Sequence, residues 1–257
     1  MKNTTLIKKF RKSLKQGSYS IGGWMQICDA NIAEIMSNSD YEWITFDLEH
    51  GIYSIEEVTN CVRAVENNNK LKFARLPGKN IEICAQMLDA GCDGLIVPNI
   101  NTKKEIEKIR DFSYFPHSGK RGVGFSRVNL FGKTFKKIMV SKIKPIIIAM
   151  IENKKAISNL NDILSLRGLD AILIGPYDLS ASMNITGKFN HPKFKNMINY
   201  IKKTAKRFNV PVGIHVLENN FSSVRNYINQ GFKFIPFGTD GFLLNHAIEK
   251  SFKKRNG

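Results

Sequence analysis

The chain has 257 residues, 42% apolar and 24% charged, with a formal net charge of +17. No segment approaches the roughly 20 apolar residues that span a bilayer, and the N-terminus has no apolar run of signal-peptide length, so a soluble, cytoplasmic protein is expected. The positive charge is scattered through KKFRK, KKEIEK, KTFKK, IKKTAKR and FKKR without the aromatic interleaving of single-stranded binders, which predicts a solvated basic surface and neither a nucleic-acid nor a membrane partner.

Leu6, Phe10 and Leu14 recur every fourth residue and predict an N-terminal helix. The first apolar run, IGGWMQ (21–26), is followed by the amphipathic NIAEIMSN. EWITFD (42–47) leads into SIEEVTNCVRAVE, where Ser54 and Glu57 have the spacing of a capping box. LKFARL (71–76) leads into NIEICAQMLDAG, with Gly91 as the stop signal. GLIVP (94–98) precedes KKEIEKIRDF and then the longest connection in the chain, FSYFPHSGKRGVGFSRVNLFGKTF. PIIIAMIE (145–152), AILIG (171–175), VPVGIHV (210–216) and KFIPFG (233–238) complete the runs, and each is followed by a helical pattern. Several runs are continuously apolar, as strands buried on both faces must be.

Eight strand–helix units in a chain of this length predict one (β/α)8 TIM barrel over residues 1–257, with an added N-terminal helix. A doubly wound open sheet also alternates strand and helix. It more often uses five or six strands and carries GxGxxG after the first, which is absent here.

Barrel active sites lie at the C-terminal ends of the strands. Those ends carry Asp47, Glu49 and His50 (second strand), Arg75 (third), Glu152 (fifth), Asp178 after the sixth, His215 in the seventh and Asp240 after the eighth. The lysines near strands, Lys72, Lys144 and Lys233, sit at the opposite ends, so a Schiff-base aldolase lacks its lysine. Glu152 and Asp178 come from adjacent strands, and two such carboxylates with water and substrate oxygens suit a hard divalent cation, Mg²⁺ or Mn²⁺. Blander roles compete. Asp240 is expected to cap the last helix, His215 to be a satisfied wall histidine, and Glu49 to orient a neighbour rather than react. Cys28, Cys61, Cys84 and Cys92 form no CxxC pair and have no histidine at zinc-site spacing, so they are read as inert thiols.

The motifs FDLEHG, FARLPG, LIVPNI, YFPHSGKRGVG, MIEN and IGPYDLSASM occur in that order. Together they resemble the HpcH/HpaI aldolase family, which includes pyruvate-dependent class II aldolases, over roughly residues 5–252. The resemblance implies a phosphoenolpyruvate/pyruvate-type barrel in a homo-oligomer, often a hexamer with its last helix swapped. It implies cleavage or formation of a 4-hydroxy-2-oxo acid, to or from pyruvate and an aldehyde, through a metal-stabilised enolate. Glu152 and Asp178 match the ligands of the divalent metal, with Co²⁺ added to the candidates. Arg75 matches the arginine on the keto-acid oxygens, and His50 with Asp47 matches the base dyad. The backbone around Pro176, Tyr177 and Asp178 matches the cradle of the pyruvate carboxylate. The loop Arg121 to Gly124 matches a segment bordering the site, and Phe125 and Arg127 are expected among the specificity residues. Lyases of citrate or citramalyl-CoA type and a citrate-forming enzyme share the same enolate logic. One departure stands out: Met150 occupies the position where the aldolases carry Gln, two residues before the metal Glu.

Overall fold

In the computed structural model, which describes residues 4–218 and 220–253, eight parallel strands close into a barrel in sequence order. They are β1 (Ser20–Met25), β2 (Trp43–Asp47), β3 (Leu71–Arg75), β4 (Gly94–Val97), β5 (Ile146–Ile151), β6 (Ala171–Ile174), β7 (Val212–Ile214) and β8 (Phe234–Pro236). Each falls inside or within one residue of its predicted run. Among the described residues no helix is long and apolar enough to cross a membrane.

Local signals set the helix ends. Ser54 Oγ accepts the Glu57 N–H and the Glu57 carboxylate accepts the Ser54 N–H, which closes the predicted capping box before the helix Ile55–Val65. Gly91, at φ 110°, ends the helix Ile81–Ala90 in a left-handed conformation that a side chain would strain. The pattern after β5 departs from expectation. It forms two short helices, Lys154–Ser158 and Leu160–Leu164, rather than one. Asn159 stands at the break and donates its side-chain amide to the Asn101 carbonyl at 2.8 Å, the local competition that makes Asn a poor helix-interior residue.

Strand alternation sorts side chains into two cores. Outward residues such as Ile147, Ala149 and Ile151 pack against the helices. Inward residues fill the barrel: Trp43, Phe73 and Phe234 near its base, with Ile148, Met150 and Leu173 above. Trp43 and Phe234 stack at 4.3 Å, and Phe10 of the helix Thr4–Lys15 closes the floor at 5.7 Å from Phe73 and 6.1 Å from Phe234. Each large side chain buried in this way contributes about 1.5–3 kcal/mol. The same period of two carries the inward series to the opposite rim. Trp43–Thr45–Asp47, Phe73–Arg75, Met150–Glu152, Leu173–Gly175 and Gly213–His215 all end there on residues of different chemistry.

The long connection after the fourth strand follows the helix Lys103–Ser113 and leads into β5. It therefore lies at the strand N-terminal rim, where Arg121 pairs with Asp89, and Arg127 with Glu66 and the Ala90 carbonyl. The expectation that Arg121 to Gly124 borders the site is not met within one chain, and Phe125 and Arg127 sit on the far side from the mouth. The reason is connectivity: an insertion between a helix and the next strand must sit at the strand starts.

Candidate functional site

The C-terminal rim opens into a cavity of about 1000 Å³ whose lining includes Trp24, His50, Arg75, Glu152, Asp178 and His215. Asp47 and Arg75 make its rigid base. The Asp47 side chain is fully buried at the end of β2. It accepts Arg75 Nε at 2.7 Å and an Arg75 terminal nitrogen at 2.5 Å, Trp24 Nε1 and Gln26 Nε2 at 3.0 Å each, and the backbone N–H groups of Glu49 and His50 at 3.1 and 3.2 Å. A carboxylate offers about four lone-pair sites, so these contacts saturate it. Burial pushes the Asp47 carboxyl up, but the Arg75 hydrogen bonds and charge, helped by Trp24 and Gln26, outweigh it and bring it down to about 2.

This geometry corrects the expected Asp47–His50 dyad. Asp47 reaches His50 only through the backbone N–H, and the imidazole has no hydrogen bond to any described residue. Arg75 is also largely committed. Beyond Asp47, its other terminal nitrogen lies 2.8 Å from Glu49, and its guanidinium carbon sits 5.1 Å from the centre of the Trp24 ring. The Glu49 oxygen in that contact is buried without an aligned hydrogen bond, so the contact is one of charge. Of the five N–H groups of a guanidinium, two remain for the cavity after the bonds to Asp47 and the contact with Glu49.

Glu152 is 7% exposed, just past the end of β5. Asn99, held at φ 50° after β4, points its N–H at the carboxylate over 2.5 Å. Gly175 leaves room for the other oxygen: a Cβ there would lie 2.7 Å from Oε1. Burial raises the Glu152 carboxyl to about 7, and the charges of Glu49 and Asp178 add to the rise against the opposing Asn99 N–H and Arg75. Glu49 is raised as well, by burial first and then by Asp47 and Asp178 against Arg75 and His50. Asp178 lies in the first turn of the helix Pro176–Ser182, exposed to the cavity. Three carboxylates thus feel one another across one mouth.

The remaining candidates have quieter roles. His215 Nε2 is 3.2 Å from the Gly238 carbonyl and its ring lies 4.8 Å from Trp24. Burial, with Arg75 nearby, lowers it to about 4 against the Gly238 hydrogen bond and Asp47, so it is a neutral wall histidine at pH 7. Asp240 opens the last helix, Asp240–Lys253, and accepts the N–H groups of Gln26 and Ile27 at 2.9 Å, tying the β1 exit to that helix. Met150, nearly buried, places a thioether beside Glu152 in the wall. Of the expected carboxylate cradle, Pro176 has no N–H to give. Tyr177 and Asp178 retain theirs, with no acceptor inside their own helix turn.

A family model described as HpcH/HpaI aldolase/citrate lyase matches residues 20–247. The chain belongs to this family. It is 28% identical over 255 residues to a hydroxypyruvate/pyruvate aldolase of Roseobacter denitrificans, covering 98% of each chain. It is 28% identical over 241 residues to a 4-hydroxy-2-oxovalerate aldolase of Novosphingobium aromaticivorans, covering 93% of this chain and 91% of that one. A crystal structure of an HpcH/HpaI aldolase/citrate lyase family protein from Burkholderia cenocepacia superposes with a TM-score of 0.90 at 23% identity, over 97% of this chain and 99% of that one. The chain is accordingly an aldolase or lyase of the HpcH/HpaI family.

Sequence reasoning missed three participants in this HpcH/HpaI site. Trp24 and Gln26 hold Asp47 from β1 and its exit. They stood in the quoted run IGGWMQ, but nothing in the run signals a bond to a strand-two acid. Asn99 orients Glu152 through its backbone, so its side chain carried no clue beyond the tolerance of Asn for positive φ.

Proposed function

We propose that this HpcH/HpaI protein is a metal-dependent, pyruvate-forming aldolase that cleaves 4-hydroxy-2-oxo acids, and that Glu152 and Asp178 hold the divalent cation. The observation carrying this reading is Glu152, a buried carboxylate with no cationic side chain in bonding contact among the described residues, whose ionisation its carboxylate neighbours oppose. Arg75 relieves it only in part, because its hydrogen bonds go to Asp47 and its other terminal nitrogen faces Glu49. A doubly charged, oxygen-seeking ion fits that donor set. Among the described residues no group of three or more His, Cys, Asp or Glu side chains is arranged to hold an ion. In this reading the protein contributes two carboxylates, and water and substrate oxygens would complete the shell. Bound there, Mg²⁺, Mn²⁺ or Co²⁺ supplies Lewis-acid stabilisation of negative charge developing on the keto oxygen.

The chain's own residues supply the rest. The two uncommitted N–H groups of Arg75 can donate to the keto-acid oxygens from a base fixed by Asp47. The N–H groups of Tyr177 and Asp178 can receive the substrate carboxylate. His50, at the rim with a free imidazole, takes the C4 hydroxyl proton, directly or through one water, as the C3–C4 bond breaks. Asp47 acts as a positioning residue for Arg75 and for the His50 backbone rather than as a partner of the imidazole. The decisive experiment couples pyruvate release to lactate dehydrogenase across a panel of 4-hydroxy-2-oxo acids and 2-keto-3-deoxy sugar acids. Turnover that chelation abolishes and Mg²⁺ or Mn²⁺ restores is expected. Turnover indifferent to EDTA, or no pyruvate from any member of the panel with metal present, would reject the proposal.

A further inference from the structure

A second cavity, of about 500 Å³, lies at the opposite end of the barrel. Four cations line it, Lys72, Arg121, Arg127 and Lys144, against two carboxylates, Glu66 and Asp93. Three of the cations pair with carboxylates: Arg127 with Glu66, Lys72 with Asp93 at 3.3 Å, and Arg121 with Asp89, which is not among the lining residues. Arg121 and Lys144 nevertheless keep donors to spare. Arg121 is 3% exposed and lies with its guanidinium carbon 4.4 Å from the centre of the Phe115 ring. One terminal nitrogen bonds Asp89, but its buried Nε meets no acceptor among the described residues. Lys144 Nζ lies 3.4 Å from the Ser141 carbonyl and 6.0 Å from the centre of the Tyr114 ring, and pairs with no carboxylate among the described residues. Val128, Ile143 and the rings of Tyr114 and Phe115 supply an apolar wall.

Beyond the bond to Asp89, the Arg121 guanidinium has N–H groups with no acceptor among the described residues, and with an ammonium that pairs with no carboxylate on the same cavity it forms a donor set that an oxyanion would satisfy. We propose that this cavity binds a small amphiphilic anion, its oxyanion head on Arg121 and Lys144 and its apolar body against the aromatic and aliphatic wall. The site is separate from the mouth and from the chemistry proposed there, since the two cavities share no lining residue.

Titration calorimetry on the full chain tests this with phenyl phosphate and benzoate as separate probes, at constant ionic strength and with Mg²⁺ and pyruvate saturating the mouth. Saturable binding of at least one probe is expected, and which one binds separates a phosphoryl from a carboxylate head. Lys144→Gln, a change at a partly exposed position, should weaken binding about tenfold or more, the usual loss on removing a charged hydrogen-bond partner. Val128→Trp should abolish binding by filling the cavity. Failure of both probes to bind saturably would overturn the proposal, as would displacement by raised pyruvate or unchanged affinity in Lys144→Gln. If Val128→Trp does not fold, Lys144→Gln and the pyruvate competition decide alone.

Discussion

Glu152→Gln separates the electrostatic claim from the catalytic one. Burial and neighbouring carboxylates raise the Glu152 carboxyl from 4.5 to about 7. Each pH unit between folded and unfolded values corresponds to about 1.4 kcal/mol, so roughly 3 kcal/mol of pH-dependent stability is in play. The sign follows from proton binding. Below the unfolded value both states are protonated and the contribution is fully present. Between the two values the folded state holds the proton more tightly than the unfolded chain, so stability falls as pH rises, and the contribution is gone above about 7. In metal-free protein the Glu152 component alone should lower the urea midpoint by about 1 M between pH 5 and pH 8, taking a urea slope of about 3 kcal/mol/M, while the lowered His215 opposes it by adding stability as pH climbs through its unfolded value, so the component is read as the difference between wild type and variant. Glu152→Gln keeps an oxygen for the Asn99 N–H but cannot ionise, so it should remove that component of the slope. Binding of Mn²⁺ to the wild type at pH 6 should expel close to one proton, read as a dependence of the binding heat on the buffer's ionisation enthalpy. Equal pH slopes in wild type and variant, or a binding heat independent of buffer, would refute the assignment of Glu152 as an uncompensated buried acid.

Four further outcomes are expected. Asp47→Asn removes the buried charge that balances Arg75 and puts an amide NH2 where one of its two acceptor oxygens stood, so chemical denaturation should show a loss of about 3–5 kcal/mol, and a loss under about 1 kcal/mol would contradict a buried pair. His50→Ala should lower kcat about 10²–10⁴-fold in the pyruvate-release assay with metal affinity retained; unchanged turnover would remove it as the base. Gly175→Ala puts a methyl 2.7 Å from Glu152 Oε1 and should weaken Mn²⁺ binding while far-UV circular dichroism stays that of the wild type, whereas unaltered affinity would mean that this oxygen is not a ligand. Leu244, Ile248 and Phe252 recur every fourth residue as an exposed apolar stripe along the last helix, a face that a second copy of the chain would cover; sedimentation should show a homo-oligomer that Ile248→Glu dissociates, and a monomeric wild type would exclude it.

The barrel was legible because its signals are local. Apolar runs, capping pairs such as Ser54 with Glu57, and the stop at Gly91 each act within a few residues, and all eight strands follow from them. The rim acids were legible for the same reason, since strand ends can be counted. The partners of those acids were not. Asp47 lies three residues from His50, and sequence proximity suggested a side-chain pair, yet its strongest contacts come from Arg75, 28 residues away, and from Trp24 on the neighbouring strand β1. Strand register decides this: Asp47 sits beside Arg75 in the β2–β3 pairing, with both side chains inside the barrel. The RGVG segment failed for a related reason. A motif read as part of a site carries no information about which rim its connection occupies, and that depends on whether the insertion precedes or follows the helix.

Charge at two scales bears on the cation proposed for the mouth. The chain as a whole carries a formal +17, which draws small anions toward its surface. The mouth reverses that sign. Asp47, Glu49, Glu152 and Asp178 stand against a single guanidinium, and His215 is held neutral by its burial. Two unit charges 4 Å apart interact by about 4 kcal/mol near a protein surface. An anionic keto acid placed beside Glu152 and Asp178 would therefore be opposed by more than the two free N–H groups of Arg75 return. A divalent ion held by those carboxylates would reverse that balance beside a keto oxygen. The raised carboxyl of Glu152 and the metal dependence proposed for this HpcH/HpaI protein thus rest on the same electrostatics.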